Sequence, residues 1–278
     1  MTGPTPITIG VLALQGAYRE HLQLLTHASL HLPPSPYTFT FLPIRTSTDL
    51  TLCSALIIPG GESTTISLLA ASNHLLGPLR DFVKLQKRPT WGTCAGMILL
   101  AEQADRTKRG GQELIGGLGV RVRRNAFGRQ RESFVVGVEV PWMLAEGEKG
   151  EEAFKAVFIR APVVKCVLDP NSEENGQEGQ KEADRGKEEE GEGEAVVVTA
   201  PKLETVGRRR EKVEILTELP PQKEGDEKRI VAVRQGNVFG TSFHPELTGD
   251  WRMHRWWLMT VIEDLATREK GVVGVLPN

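Results

Sequence analysis

Two patterns of apolar and polar residues alternate along the first hundred positions of the chain. Residues 7–14 form a continuous apolar run rich in β-branched side chains, which is typical of a strand buried on both faces of a parallel sheet. Helical spacing follows over 18–27. Further strands are predicted over 37–44, 55–58 and 89–93, and further helices over 63–72, 75–85 and 94–104. This alternation predicts an α/β protein with helices on both faces of a sheet.

The middle of the chain changes to short alternating segments separated by polar turns. Antiparallel strands are predicted here over 119–123, 134–140, 156–160 and 163–168. More strands are predicted over 213–217, 230–235 and 238–243, before an amphipathic helix over 251–268. We expect the antiparallel strands to pack at one edge of the parallel sheet or to extend it.

One segment is too polar to belong to a hydrophobic core. Residues 171–195 hold ten acidic and three basic side chains, and two alanines are their only apolar residues. Such a segment buries too little surface to offset the entropy lost on ordering it. We expect a disordered acidic insertion at about 169–212, which includes the irregular basic stretch 201–211. A solvated surface loop explains it better than an acidic docking tail.

Composition and charge argue against several classes of protein. With 34 basic and 36 acidic residues the net charge is −2, unlike a nucleic-acid-binding protein with a basic face. No stretch approaches the roughly 18 apolar residues of a membrane helix, and no basic residue precedes the first apolar run as in a secretory signal. Cys53, Cys94 and Cys166 are far apart and not spaced as metal ligands. We expect a cytoplasmic protein without disulfides, metal or membrane association.

The sequence GTCAG at 92–96 places Cys94 between two glycines at the end of a predicted strand. This form is typical of a sharp strand-to-helix turn that exposes the middle side chain. Amides at the start of the following helix stabilise a thiolate, and the amide of Ala95 is positioned to bind a developing oxyanion. Taken alone, the motif is more often a buried cysteine in a tight turn.

The segment FHPE at 243–246 follows the last predicted strand. His244 therefore lies at a strand end, where open α/β sheets place functional groups. Residues two apart in an extended segment point the same way, so Glu246 can hold the imidazole from behind and stabilise its charged form. A histidine that only ends the strand is the alternative. No such acidic residue accompanies the other histidines, which are His21, His27, His31, His74 and His254.

The segment PGGEST at 59–64 follows another predicted strand and precedes a helix, with Ser63 expected at the N-cap. Its glycines allow backbone amides to turn toward an anion, and we expect Gly61 to supply a second oxyanion donor. The spacings of a P-loop and of a dinucleotide-binding loop are absent; an ordinary loop-to-helix turn is the alternative. All three motifs follow predicted strands, whose carboxyl ends face the same side of a doubly wound sheet, so the motifs can converge.

Together these residues resemble the class I glutamine amidotransferases, which hydrolyse the side-chain amide of glutamine with a Cys-His-Glu triad. Five segments are similar in order to the glutaminase subunits of pyridoxal 5'-phosphate synthase. They are IGVLALQG at 9–16, PGGESTT at 59–65, RNAFGRQ at 124–130, FIRAP at 158–162 and SFHPELT at 242–248. The resemblance covers nearly the whole chain except roughly 169–212, which the family pattern lacks.

The resemblance implies a single domain over residues 1–278 with a flavodoxin-like three-layer fold, a mostly parallel central sheet and an antiparallel extension. It implies Cys94, His244 and Glu246 as the catalytic triad and no cofactor. Glutamine contacts are implied at Gly61, Glu62, Ser63, Arg124, Ile159 and Arg160.

The resemblance also implies a partner. Ammonia released from L-glutamine would pass to a separate synthase subunit that makes pyridoxal phosphate from ribose 5-phosphate and glyceraldehyde 3-phosphate. Members of this family are poorly active alone and are activated when the partner completes the oxyanion hole.

Other functions remain open at this stage. A cysteine peptidase or another hydrolase would use the same three side chains on a different substrate. A catalytically silent regulatory subunit would only bind the synthase, although the intact Cys94, His244 and Glu246 argue against it. Arg124 and Arg160, which suit the substrate carboxylate, are equally well explained as surface charges.

Overall fold

The computed structural model describes residues 4–106, 112–124, 133–143, 153–169, 196–202, 211–221 and 228–273. Its strands are Thr5–Leu12 (β1), Tyr37–Ile44 (β2), Ala55–Ile58 (β3), Thr90–Thr93 (β4), Ala101–Arg106 (β5), Leu118–Arg123 (β6), Ser133–Val138 (β7), Phe154–Ile159 (β8), Val163–Val167 (β9), Val196–Thr199 (β10), Glu214–Leu219 (β11), Arg229–Gln235 (β12) and Val238–Thr241 (β13).

The helices are Tyr18–Ser29 (α1), Ser47–Thr51 (α2), Ser63–Ser72 (α3), Leu76–Arg80 (α4), Ala95–Leu100 (α5) and Arg252–Val273 (α6). A π-helical turn, Asp81–Leu85, continues α4, and 3-10 turns span Pro141–Met143 and Pro245–Leu247. Within the ranges described, no helix combines the length and the apolar character needed to cross a membrane.

Five neighbouring strands run parallel in the order β2-β1-β3-β4-β13. With β13 counted as the fifth parallel strand, this is the 2-1-3-4-5 order of flavodoxin-like sheets. The side chains of β3 alternate between two apolar clusters, with Leu56 and Ile58 in one and Ala55 and Ile57 in the other. All four are fully buried. This is the environment of a central parallel strand covered on both faces.

Helices form the outer two layers. Ile66 of α3, Leu79 of α4 and Met97 of α5 pack in the cluster on one face of the sheet. Leu25 of α1 and Trp257 of α6 pack in the cluster on the other face. The protein is therefore a three-layer sandwich, and the predicted flavodoxin-like fold class is confirmed.

The antiparallel strands both extend the sheet and form a second one. Beyond β13 the order continues β12-β9-β6-β5-β10, with β11 paired to β12. In this half β5 and β6 are parallel, while the other pairs are antiparallel. Strands β7 and β8 form a separate two-stranded antiparallel sheet, whose buried Phe154 and Phe158 pack in the same cluster as α1 and α6.

The helix predicted over 94–104 is wrong in its second half. The helix α5 ends at Leu100, and the next six residues are strand β5. The carbonyl of Leu99 accepts hydrogen bonds from the amides of Ile115 and Gly116, which come from the loop before β6. Pairing with β6 and β10 then outweighs the helical preference of this apolar run.

A buried ion pair lies at the start of β5. The Nζ of Lys84 is 3.0 Å from a carboxylate oxygen of Glu102, and both side chains are buried. The carboxylate also accepts the amide of Gly117, and Lys84 donates to the carbonyl of Pro201 at 2.9 Å. These contacts join β5 to the segment that follows β10.

The range 169–212 contains a strand that was not predicted. Strand β10 pairs antiparallel with β5 over four residues. Residues 170–195 and 203–210 lie outside the described ranges. The disorder expected for the acidic segment therefore stays a prediction.

Replacing Lys84 with Met is expected to lower the free energy of unfolding by about 3–5 kcal/mol, because the buried carboxylate of Glu102 loses the ammonium group that lies 3.0 Å away. Urea denaturation measures the change. Lys228→Met is the matched control. It removes an exposed ion pair with Glu218 and is expected to cost less than about 1 kcal/mol. Equal losses in the two variants would contradict this account.

Candidate active site

Cys94 occupies a sharp turn between β4 and α5. Its backbone has φ +47° and ψ −101°, a strained conformation for a residue other than glycine. A Cβ on Gly96 would lie 2.0 Å from the carbonyl oxygen of Ile58, so only glycine allows α5 to begin this close to β3. The amide of Cys94 donates to Thr241 in β13. The strand-to-helix turn predicted from GTCAG is confirmed.

His244 follows β13 and lies against the loop that follows β3. Its amide donates to the carbonyl of Val157 in β8 at 2.8 Å. A Cβ on Gly60 would lie 2.2 Å from Cε1 of the His244 ring. The imidazole therefore packs directly against the backbone of Gly60, where no side chain would fit. The ends of β3 and β13 lie close together, as predicted.

Glu246 holds the His244 ring as predicted, although on a different backbone. The Nδ1 of His244 is 2.7 Å from Oε1 of Glu246. The two residues are not part of an extended segment, because the 3-10 turn Pro245–Leu247 begins directly after His244. This turn brings the carboxylate to the ring. Cys94, His244 and Glu246 are only 6, 7 and 4% exposed.

The surroundings of His244 stabilise its charged form. Burial opposes the charge, but hydrogen bonds with Cys94 and Glu246 and attraction to both groups outweigh burial and raise the pKa of His244 to about 10. Stabilisation of the fold by this protonation is complete below the ordinary pKa of 6.5 and is lost as the pH rises through about 10. Near neutral pH the site therefore holds an imidazolium beside the sulfur.

The loop after β3 contains three of the predicted substrate contacts. The carboxylate of Glu62 accepts the amides of Thr64 and Thr65 at 3.1 and 2.7 Å and caps α3. The N-cap predicted at Ser63 is therefore wrong. Ser63 is instead the first, buried residue of the helix, because the longer side chain of Glu62 reaches both amides.

The side chain of Gln15 lies against the same loop. Its Oε1 accepts the amide of Glu62 at 2.9 Å. A Cβ on Gly61 would be 2.3 Å from this oxygen, so Gln15 covers Gly61 closely. Ala95, the other predicted oxyanion donor, is the first residue of α5, where amides have no carbonyl partner within the helix.

The other predicted contacts approach the same edge of the sheet. Arg124, directly after β6, donates to Glu62 at 3.3 Å and to Gln112 at 2.8 Å, so its side chain contacts the residue that caps α3. The carbonyl oxygen of Ile159 lies 4.0 Å from Sγ of Cys94. Arg160 follows with φ +45°, is exposed, and makes no ion pair with another described residue. Residues 125–130 of the RNAFGRQ segment lie outside the described ranges.

Sequence reasoning missed two histidines behind Glu246. The Nε2 of His21 lies 3.4 Å from Oε2 of Glu246, and Nδ1 of His21 is 2.9 Å from His254. A signal for His21 was present in α1. It shares the buried stripe with Leu24, Leu25 and Ala28 at helical spacing, where a polar side chain needs a partner.

Comparison with known proteins identifies the family of this chain. A sequence profile of the SNO glutamine amidotransferase family matches residues 11–190 and 187–263, which is most of the chain. The chain belongs to this family. The resemblance inferred from the motifs is thereby confirmed.

Individual relatives cover nearly the full length of the chain. The protein named "Probable pyridoxal 5'-phosphate synthase subunit PDX2" of Arabidopsis thaliana is 40% identical over 91% of this chain and 85% of its own. The pyridoxal 5'-phosphate synthase subunit PdxT of Streptomyces coelicolor is 41% identical, over 90% and 91%. A crystal structure of a glutamine amidotransferase superposes with a TM-score of 0.59 at 35% identity, covering 91% of this chain and 98% of that one.

Replacing Cys94 with Ala is expected to lower the pKa of His244 below about 10, because one of the two hydrogen-bonding groups that raise it is removed. NMR titration of the ring carbon resonances measures this pKa. Cys53→Ala removes a buried thiol elsewhere and is expected to leave the pKa unchanged. An identical midpoint in the wild type and the Cys94 variant would show that the two side chains do not interact.

Gly60→Ala is expected to displace the His244 ring, because the added methyl group would overlap Cε1. The ring then loses optimal contact with Cys94 and Glu246, so its pKa falls and thermal unfolding occurs at lower temperature. The control is Gly77→Ala in α4, where a Cβ meets no atom within 4 Å. An unchanged His244 titration in Gly60→Ala would contradict the close packing described above.

Proposed function

We propose that this chain is a glutaminase, an L-glutamine amidohydrolase that releases ammonia for the synthase subunit of a pyridoxal 5'-phosphate synthase. The observation that carries the proposal is the strained Cys94 beside an imidazole that Glu246 holds at 2.7 Å. Family membership supports the choice of glutamine as substrate. The names of the relatives support the synthase as partner.

In the first half-reaction, the Cys94 thiolate attacks the δ-carbonyl carbon of glutamine and a C–S bond forms. The amides of Ala95 and Gly61 bind the oxyanion of the tetrahedral intermediate. Charged His244 then donates its proton to the amide nitrogen, the C–N bond breaks, and ammonia leaves. The product on the enzyme is a γ-glutamyl thioester.

In the second half-reaction, the now neutral His244 accepts a proton from water, and the resulting hydroxide attacks the thioester. The C–S bond breaks, glutamate leaves, and the thiolate and the imidazolium are restored. Glu246 orients the ring and stabilises its charge in both halves.

Polar groups around the thiol suit the amino-acid end of glutamine. We assign the substrate contacts to Gly61, Glu62, Ser63, Arg124, Ile159 and Arg160. A guanidinium binds a carboxylate in a bidentate manner. Arg124 is already paired with Glu62, whereas Arg160 is exposed beside the residue whose carbonyl faces Cys94. The carboxylate of Glu62 suits the substrate ammonium.

The proposal extends to the whole chain and to its location. Residues 1–278 would form one amidotransferase domain, with the acidic insertion at about 169–212 as a solvated loop. A lengthened surface loop costs little in closure entropy, so it need not disturb the fold. Three widely spaced cysteines support a reducing compartment, and we place the protein in the cytoplasm.

Cys94→Ala is expected to reduce ammonia release from glutamine by more than about 10³-fold in the presence of a matched synthase subunit, because it removes the nucleophile. Ammonia release is measured with and without the synthase, and circular dichroism checks the fold. Cys166→Ala, which removes an exposed thiol, serves as the control and retains activity. Full turnover by the Cys94 variant would refute the assignment.

The same assay separates the alternative functions. A peptidase would cleave peptides and leave free glutamine intact. A silent regulatory subunit would release no ammonia, and a glutamine-analogue electrophile would not label its Cys94 with or without the synthase. Labelling of Cys94 that increases when the synthase is added is the result expected for a glutaminase.

A further inference from the structure

Two fully buried histidines extend from the carboxylate of Glu246 into the layer formed by α1 and α6. His21 and His254 are each 0% exposed, and Nδ1 of His21 lies 2.9 Å from Nε2 of His254. The Nε2 of His21 lies 3.2 Å from Oγ1 of Thr93 and 3.4 Å from Oε2 of Glu246. His21 thus contacts both the residue before Cys94 and the carboxylate that holds His244.

The surroundings of both imidazoles favour the neutral form. Burial, with repulsion from His254 and His244, lowers the pKa of His21 well below its ordinary value. Burial lowers the pKa of His254 to about 3, against a smaller attraction to Asp250. Each ring therefore carries one N–H and one bare nitrogen.

The positions of these two protons follow from the partners available. No described atom hydrogen-bonds Nδ1 of His254. A proton there would be a buried donor without a partner, and His21 would then turn a lone pair toward the carboxylate of Glu246. The opposite arrangement avoids both costs. Nε2–H of His254 donates to Nδ1 of His21, and Nε2–H of His21 points toward Thr93 and Glu246.

We infer that His21 is a positioning residue, which holds Oε2 of Glu246 and Thr93 at fixed places so that Oε1 stays aligned with His244. Among the described residues, Oε2 of Glu246 has no full hydrogen bond, so the N–H of His21 at 3.4 Å is shared between this oxygen and the closer Thr93. The groups that face His21 are His254, Glu246 and, beyond the carboxylate, His244. The effect on catalysis rests on the proposed glutaminase function.

Two substitutions separate positioning from packing. His21→Phe keeps a ring beside Trp91, which His21 contacts edge-on at 5.7 Å, but has no N–H. His21→Gln loses the ring but carries an N–H near the place of Nε2. We expect His21→Phe to lower kcat by about ten- to a hundredfold with little change in KM, because a misaligned carboxylate affects the reaction more than binding. His21→Gln is expected to recover most of this loss.

The titration of His244 is a second readout, and it does not depend on turnover. A loosened Glu246 supports the imidazolium less, so the pKa of His244 should fall below about 10 in His21→Phe and return in His21→Gln. His27→Gln, at an exposed position of the same helix, should change neither kcat nor this pKa. If His21→Phe retained kcat and the pKa of His244 while His21→Gln lowered both, the ring of His21 would serve only in packing.

Nitrogen NMR of the wild-type protein completes the test if either variant fails to fold. We expect both rings to be neutral, with their protons on Nε2. A proton on Nδ1 of His21 would overturn the inference, because a lone pair would then face the carboxylate. If the wild type does not hydrolyse glutamine even with the synthase, the proposed function fails, while the proton positions and the His244 titration still decide the role of His21.

Discussion

The register of three adjacent parallel strands is the constraint on which the site depends. Backbone pairing aligns Ile58 of β3 with Gly92 of β4, and Thr93 of β4 with Thr241 of β13. Since the three strands end at nearly the same level, the residues that follow them enter one small volume. A slip of one residue in β4 would point its side chains to the opposite face and remove Cys94 from His244. The position of Cys94 beside His244 therefore depends on the pairing register of the three central strands.

Much of this arrangement could be predicted from the sequence because it follows from local patterns and from one topological rule. The strands 37–44 and 55–58 and the helix 63–72 have the predicted bounds. In these segments the local apolar pattern and the tertiary packing favour the same secondary structure. Convergence of the three motifs required only that parallel strands point their carboxyl ends the same way. The contact between His244 and Glu246 was predicted on an extended backbone, and the short spacing makes it possible on a 3-10 turn as well.

The misplaced N-cap of α3 is a local error, because the adjacent Glu62 reaches the amides that Ser63 was expected to bind. The other failures depend on partners distant in the sequence. The run after Leu100 forms a strand because β6 and β10 pair with it, and no local pattern shows those neighbours. His21 was missed because its contacts, Thr93 and His254, lie 72 and 233 residues away. The sequence pattern places His21 on the buried stripe of α1, but it does not show which residues His21 contacts. A polar residue on an apolar face indicates that a partner exists without identifying it.

The short strand β10 has a further consequence for the surface of the protein. Without it, β5 would end the sheet and present a row of unpaired amides and carbonyls, which is a template for pairing with another chain. The four residues from Val196 to Thr199 cover that row directly after the acidic segment. The outermost strand is then brief, and ten carboxylates precede it in the chain. An outermost strand of only four residues offers little backbone to which a further strand could pair, which is one way in which proteins limit pairing at a sheet edge.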